Sequence, residues 1–239
     1  MKKHKKLIII LGSIISFILI LIAVFGIYFG NYYHAVNVDE YLESNDKVLV
    51  NDDNYISFIP KDNEIKGGII FYQGAKVENK SYSELMYKLA LEGYATFIVD
   101  MPFNFAIFGV NKADEIINDY DIDNWYLMGH SLGGAMASSY TSQNTDKIAG
   151  LILLASYSTE DLSDTKVLSI YGSNDLVLNM EKYEQYKTNL PQDYIELVIE
   201  GGNHAYFASY GEQAGDGKAT ITNNEQLSIT VEAILDFII

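Results

Sequence analysis

The stretch GHSLGG, Gly129 to Gly134, sets a serine among glycines, between the apolar run NWYLM and the small-residue run AMASSY. A serine hydroxyl becomes a nucleophile only when a base takes its proton and a third group orients that base. The chain has four histidines. His4 lies in a lysine-rich start and His34 in a polar segment, while His130 adjoins Ser131 and should point away from its hydroxyl. His204, in EGGNHAYF, is the remaining candidate base. Asp175, in SIYGSNDLVL, leads as the orienting acid, with Asp161, Asp164 and Glu200 as rivals. It leads because it follows an apolar run by four residues and falls between the serine and the histidine. Such a set can attack an acyl carbon if two backbone N–H groups hold the developing oxyanion. One is expected from Leu132, directly after the serine. The other is expected from FYQGAKVE, where Gly74 allows a sharp turn; the Ala75 N–H is favoured and Gln73 is the alternative.

These groups meet only if the elements between them carry them to one place. Strand candidates are 48–50, 55–59, 68–72, 95–99, 125–128, 151–154, 167–171 and 195–199. The first two flank the NDDN turn and suit an antiparallel hairpin. The later ones are continuous apolar runs, as expected for strands buried on both faces. Helical patterns lie between them, at 82–92, 112–120, 132–142, 180–189 and 225–237. In the first of these, Leu85, Leu89 and the Tyr82/Met86 pair share a side. Alternation of this kind argues a parallel sheet built from right-handed crossovers, with ligands at the carboxyl ends of the strands. Ser131 then sits on a turn from strand to helix. Gly129 and Gly133 must lack side chains for that turn to close, and Gly134 lets the helix pack close to the sheet. The helix N-terminus favours developing negative charge. GHSLGG lacks the lysine of a phosphate-binding loop and the G-x-G-x-x-G spacing.

The start of the chain is of a different kind. Leu7 to Gly30 carries no charge and would span roughly 36 Å as a helix, enough for a bilayer's hydrocarbon core. Lys2, Lys3, Lys5 and Lys6 precede it and predict a cytoplasmic N-terminus. Tyr28, Phe29, Tyr32 and Tyr33 fall where an outer aromatic belt would lie. The run exceeds the apolar region of a signal peptide, and YFGNYYHA offers no small-x-small site, so an uncleaved anchor is favoured over a cleaved signal. The expected organisation is a basic tail at 1–6, a transmembrane signal anchor at 7–30, a polar tether at 31–46 and one catalytic domain at 47–239. Either reading of the anchor puts that domain outside the cytoplasm.

Composition narrows the partners. There are no cysteines among the 239 residues, which excludes disulfides, thiolate zinc sites and a cysteine nucleophile. Beyond residue 30 the chain holds twelve lysines against thirty-two acids, a net of −20. Such a domain repels nucleic acid, and no nucleic-acid partner is expected.

Over roughly residues 47–239 the sequence resembles the alpha/beta-hydrolase superfamily. Within it the chain looks like the bacterial fold-5 type related to dienelactone hydrolase (carboxymethylenebutenolidase). The resemblance rests on FYQGAKVE, VDMPFNFA, GHSLGGAMA, LSIYGSND and GGNHAYFASYGEQAGDG. It implies a three-layer α/β fold with an eight-stranded, mostly parallel sheet, and a Ser–Asp–His triad carried onto Ser131, Asp175 and His204. True dienelactone hydrolases use a cysteine nucleophile, so hydrolase chemistry is implied here but not that substrate.

The expected activity is that of a serine esterase acting on a small-molecule or envelope acyl ester, with no metal or cofactor. The alternatives are an acyltransferase on the same triad and a non-catalytic binding protein of the same fold. Only about a dozen residues, 155–165, separate the sixth and seventh strands, too few for a helical cap, so an open, shallow site is expected. Gln73, Phe103, Phe105, Phe108, Tyr206 and Phe207 are candidate lining residues, with the three Phe residues near position 105 alternatively core for the following helix.

Overall fold

The computed structural model describes residues 2–61 and 64–238. Met1 and the side chains of Lys2, Lys3 and Lys5 of the expected basic tail, and Ile239, lie outside what is described. The chain divides into two compact units, Met1–Tyr32 and Tyr33–Ile239. The first is a single helix, α1 (Lys2–Gly30). Its stretch Ile10–Gly30 has a mean hydropathy of 2.9, and none of it is buried within the protein. It is one apolar helix long enough to cross a membrane, and by length and composition it could equally be a signal sequence.

The second unit is built on eight strands: β1 (Val48–Asp52), β2 (Tyr55–Pro60), β3 (Gly68–Tyr72), β4 (Ala95–Val99), β5 (Trp125–His130), β6 (Ile148–Leu154), β7 (Val167–Gly172) and β8 (Ile195–Ile199). Their order across the sheet is β1-β2-β4-β3-β5-β6-β7-β8. β2 runs antiparallel to both its neighbours, and every other pair is parallel. The hairpin and the parallel crossovers both follow the sequence pattern.

Alternate residues of each central strand feed opposite faces, as the period-2 geometry of a strand requires. Ile69 and Phe71 of β3 join one core with Tyr82 and with Leu85, Met86 and Leu89 of α2 (Ser83–Leu91) and Leu227 and Ile234 of α6 (Asn223–Phe237). Ile70 and Tyr72 join the other, with Ala113 and Ile116 of α3 (Ala113–Asp119) and Ala137 and Tyr140 of α4 (Leu132–Gln143). The result is three layers, with β3 and β4 buried along their whole length. A fifth short helix, α5 (Met180–Tyr186), follows β7. Residues 155–166, all described, carry turns and bends but no helix, so no helical cap covers the sheet at this point.

The expected tether is packed rather than loose. The Tyr33 N–H donates to the Lys76 carbonyl at 2.7 Å, and the Glu78 N–H donates back to the Tyr33 carbonyl at 2.9 Å. Tyr33 thereby forms a parallel bridge with Val77, and its ring lies 5.3 Å from that of Tyr210. Val38 is buried, and Asp39–Leu42 form a turn of 3-10 helix. The sequence hid this because the segment is short, polar and acidic, while much of its fastening is made by backbone atoms. Tyr33 belongs to this unit.

Candidate active site

Ser131 occupies the turn between β5 and α4 with φ 52° and ψ −124°. A non-glycine residue there stores on the order of 1–3 kcal/mol of strain, which surrounding contacts must hold. They do so densely. The Ser131 N–H donates to the Leu154 carbonyl at 2.9 Å. Its own carbonyl accepts from the Ser156 hydroxyl at 2.7 Å and from the Gly134 N–H at 3.0 Å. The glycines are steric necessities. A Cβ on Gly133 would lie 2.1 Å from the Tyr72 carbonyl oxygen, and one on Gly129 would lie 2.5 Å from the Gly133 carbonyl carbon. At Gly134 the space is taken by Ser156.

Beyond β7, the loop that carries Asp175 folds back so that the carboxylate is buried. Its Oδ1 accepts the Val177 and Leu178 N–H groups, each at 2.8 Å. Its Oδ2 lies 2.8 Å from His204 Nδ1, and both side chains are shielded from solvent. Of the four acids considered, Asp175 is the one that meets His204. His204 follows β8 and is buried. No hydrogen bond joins its ring to the Ser131 hydroxyl, a contact that often forms only once substrate is bound. The His130 ring, one residue before Ser131, lies 4.5 Å from the His204 ring.

The two backbone N–H groups expected to hold an oxyanion, those of Leu132 and Ala75, donate to no acceptor among the described residues. Leu132 is the first residue of α4, and its N–H has no intrahelical acceptor. The Ala75 N–H makes no hydrogen bond among the described residues, whereas the Gly74 N–H is taken by the Tyr82 hydroxyl at 3.0 Å. Gln73 is fully buried, with its Nε2 donating to the Val77 carbonyl and to Asn104 Oδ1, each at 2.9 Å. Gln73 Oε1 has no hydrogen-bond partner among the described residues. Its amide therefore ties the loop after β3 to the loop after β4, where Phe103 and Asn104 both have φ 58°.

The lining residues separate. Phe103 and Phe108 are more than half exposed, and so are not core for α3, while Phe105 and Tyr206 are half-buried. Phe207 is a correction. It is fully buried, belongs to the core beneath the sheet's end and packs at 5.8 Å on the His130 ring, so it cannot line an open site.

Several residues that hold this arrangement carried no sequence signal of their own. Asp216 Oδ2 accepts the Ala205 N–H at 2.9 Å, and its Oδ1 accepts the His204 N–H at 3.3 Å and the Gly217 N–H at 2.8 Å. Gln226 grips Asn203 as a strand would, accepting its N–H at 2.9 Å and donating to its carbonyl at 2.8 Å. Asp216 stands in the GEQAGDG stretch that carried the family resemblance, but spacing alone could not assign it to the backbone of His204 and Ala205.

A sequence profile of the alpha/beta hydrolase family matches residues 68–228, well over half the chain, and the chain belongs to that family. No curated protein matches the sequence. Solved structures share the fold. An esterase from Pyrobaculum calidifontis superposes with a TM-score of 0.61 at 15% identity, covering 84% of this chain and 89% of that one. A monoacylglycerol lipase from Paleococcus ferrophilus gives 0.60 at 14% identity, over 80% and 99%. Est1E from Butyrivibrio proteoclasticus gives 0.57 at 16% identity, over 80% and 98%.

Proposed function

We propose that this protein is a serine hydrolase of carboxylic esters, anchored by α1 with the catalytic unit outside the cytoplasm. The observation that carries the reading is the buried His204–Asp175 pair at 2.8 Å, and it is supported by a serine held at positive φ between β5 and α4 whose neighbour His130 packs on the His204 ring. The esterase and lipase neighbours lend it support at the level of the fold. In this reading His204 takes the Ser131 proton as the hydroxyl attacks the ester carbonyl. Asp175 accepts from Nδ1–H and stabilises the imidazolium that forms. The Leu132 and Ala75 N–H groups receive the oxyanion, and the alcohol departs with the proton returned by His204. Water then repeats the sequence on the acyl-serine, with His204 as base. Within the family we favour the fold-5, dienelactone-hydrolase-like branch with serine in the nucleophile's place.

The test uses the full chain in lipid vesicles with a fluorophosphonate probe. Wild type is expected to be labelled and Ser131→Ala is not, with ester turnover falling at least about 10^4-fold. Labelling that survives in Ser131→Ala would overturn the assignment. Because no helical cap lies between β6 and β7, soluble short-chain p-nitrophenyl esters are expected to be turned over without an interface. A strong preference for long-chain emulsions would contradict the open site.

A further inference from the structure

Tyr82 and His130 look at first like core residues, since both are essentially inaccessible to solvent. Their polar atoms form one continuous chain. The Gly74 N–H meets the Tyr82 hydroxyl oxygen at 3.0 Å. The Tyr82 hydroxyl lies 2.9 Å from His130 Nδ1. His130 Nε2 lies 3.1 Å from the His204 carbonyl oxygen. The chain therefore begins on the loop that offers the Ala75 N–H, passes the residue before the nucleophile and ends on the backbone of the base.

Its protons can be placed by elimination. The Gly74 N–H and the His204 carbonyl have fixed roles, donor and acceptor. Tyr82 has a single proton. If it goes to His130 Nδ1, then His130 carries its own proton on Nε2 and donates it to the His204 carbonyl, and every group is satisfied. If Nδ1 were protonated instead, a ring lone pair would face a carbonyl lone pair at Nε2, and the Tyr82 proton would lose its acceptor in a buried setting. Burial, with His204 nearby adding to it, holds the His130 imidazole well below its ordinary range and so neutral. A neutral ring at this place suits the reaction, because a second cation 4.5 Å away would oppose the imidazolium that His204 must become.

We propose that Tyr82 and His130 are positioning residues, whose ordered hydrogen-bond chain fixes the base loop against the oxyanion loop and takes the Gly74 N–H out of competition for the oxyanion. This rests on the serine-hydrolase reading above. Their effect should fall on the transition state, which needs both loops in register, and little on substrate binding.

The experiment uses the full chain in lipid nanodiscs with 15N-labelled histidine. Wild-type His130, assigned by its loss in His130→Gln, is expected as the Nε2–H tautomer at pH 7. An imidazolium or an Nδ1–H tautomer would overturn the proposal without recourse to activity. Tyr82→Phe is expected to lower kcat about 10- to 100-fold, with KM unchanged within about twofold, and to slow fluorophosphonate labelling in proportion. His130→Gln keeps an N–H towards His204 and a carbonyl towards Tyr82, so it is expected to retain about tenfold more kcat than His130→Ala. Unaltered labelling by Tyr82→Phe, or a KM rise without a kcat loss, would overturn the positioning role alone. Failure of wild type itself to label would overturn the hydrolase reading and this role with it.

Discussion

At Asp175 the two carboxylate oxygens have separate duties: one is locked by the backbone of its own loop, the other faces His204. Asp175→Asn should keep the first duty, since an amide oxygen still accepts both N–H groups. It should fail the second, leaving the imidazole without an acceptor for Nδ1–H. We expect kcat on a soluble ester to fall about 10^4-fold with the thermal midpoint little changed, measured by steady-state kinetics and calorimetry. A loss under tenfold would point to one of the other acids. At this scale the sequence was legible where chemistry demands a rare residue type. Four histidines reduce to one once three are placed in a tail, a polar segment and beside the serine. It was illegible where function depends on the far end of a common side chain. The helical pattern rightly buries Tyr82, yet it says nothing of what the hydroxyl touches. The same pattern of aromatics could not separate buried Phe207 from exposed Phe103.

At the scale of elements, the strands were read closely because burial on both faces leaves unbroken apolar runs, as in GIIFY and ATFIV. β6 begins earlier than its apolar run suggests, at Ile148, because exposed Ala149, skipped in the pairing with β5, and buried Gly150 interrupt the apolar pattern without ending the strand. The turn from β5 into α4 is where local sequence and global packing agree most tightly. Gly133→Ala would drive a methyl to 2.1 Å from the backbone oxygen of Tyr72, which no side-chain rotation can relieve. We expect a loss of about 3 kcal/mol, the upper end of overpacking penalties, read as a lower urea midpoint. A variant as stable as wild type would mean that the strand and helix can part here at little cost.

Over the whole molecule, one buried imidazole couples folding to pH. In the unfolded chain His130 binds a proton below about pH 6.5, while in the folded protein burial, assisted by His204, keeps it neutral to lower pH. Within that window the unfolded state holds the extra proton, so stability rises with pH and levels off above it. Urea titrations of the full chain between pH 5 and 8 are expected to show up to about 1.4 kcal/mol lost per pH unit below pH 6.5, with a flatter profile in His130→Gln. An equal slope in both would assign the effect to another group. The acidic surface contributes elsewhere. Against their burial, Lys147 and Tyr140 lower the Asp114 carboxyl, and Lys187 and Tyr183 lower that of Glu196, so these two groups act only at more acid pH. The bridge of Tyr33 to Val77 has a practical corollary. A soluble fragment cut at residue 47, where the sequence suggests the domain begins, would strip a strand-like edge from the loop next to Ala75. Protein engineers who wish to free the catalytic unit from α1 would have to cut ahead of Tyr33, because the residues that look like a leash are part of the scaffold of the site.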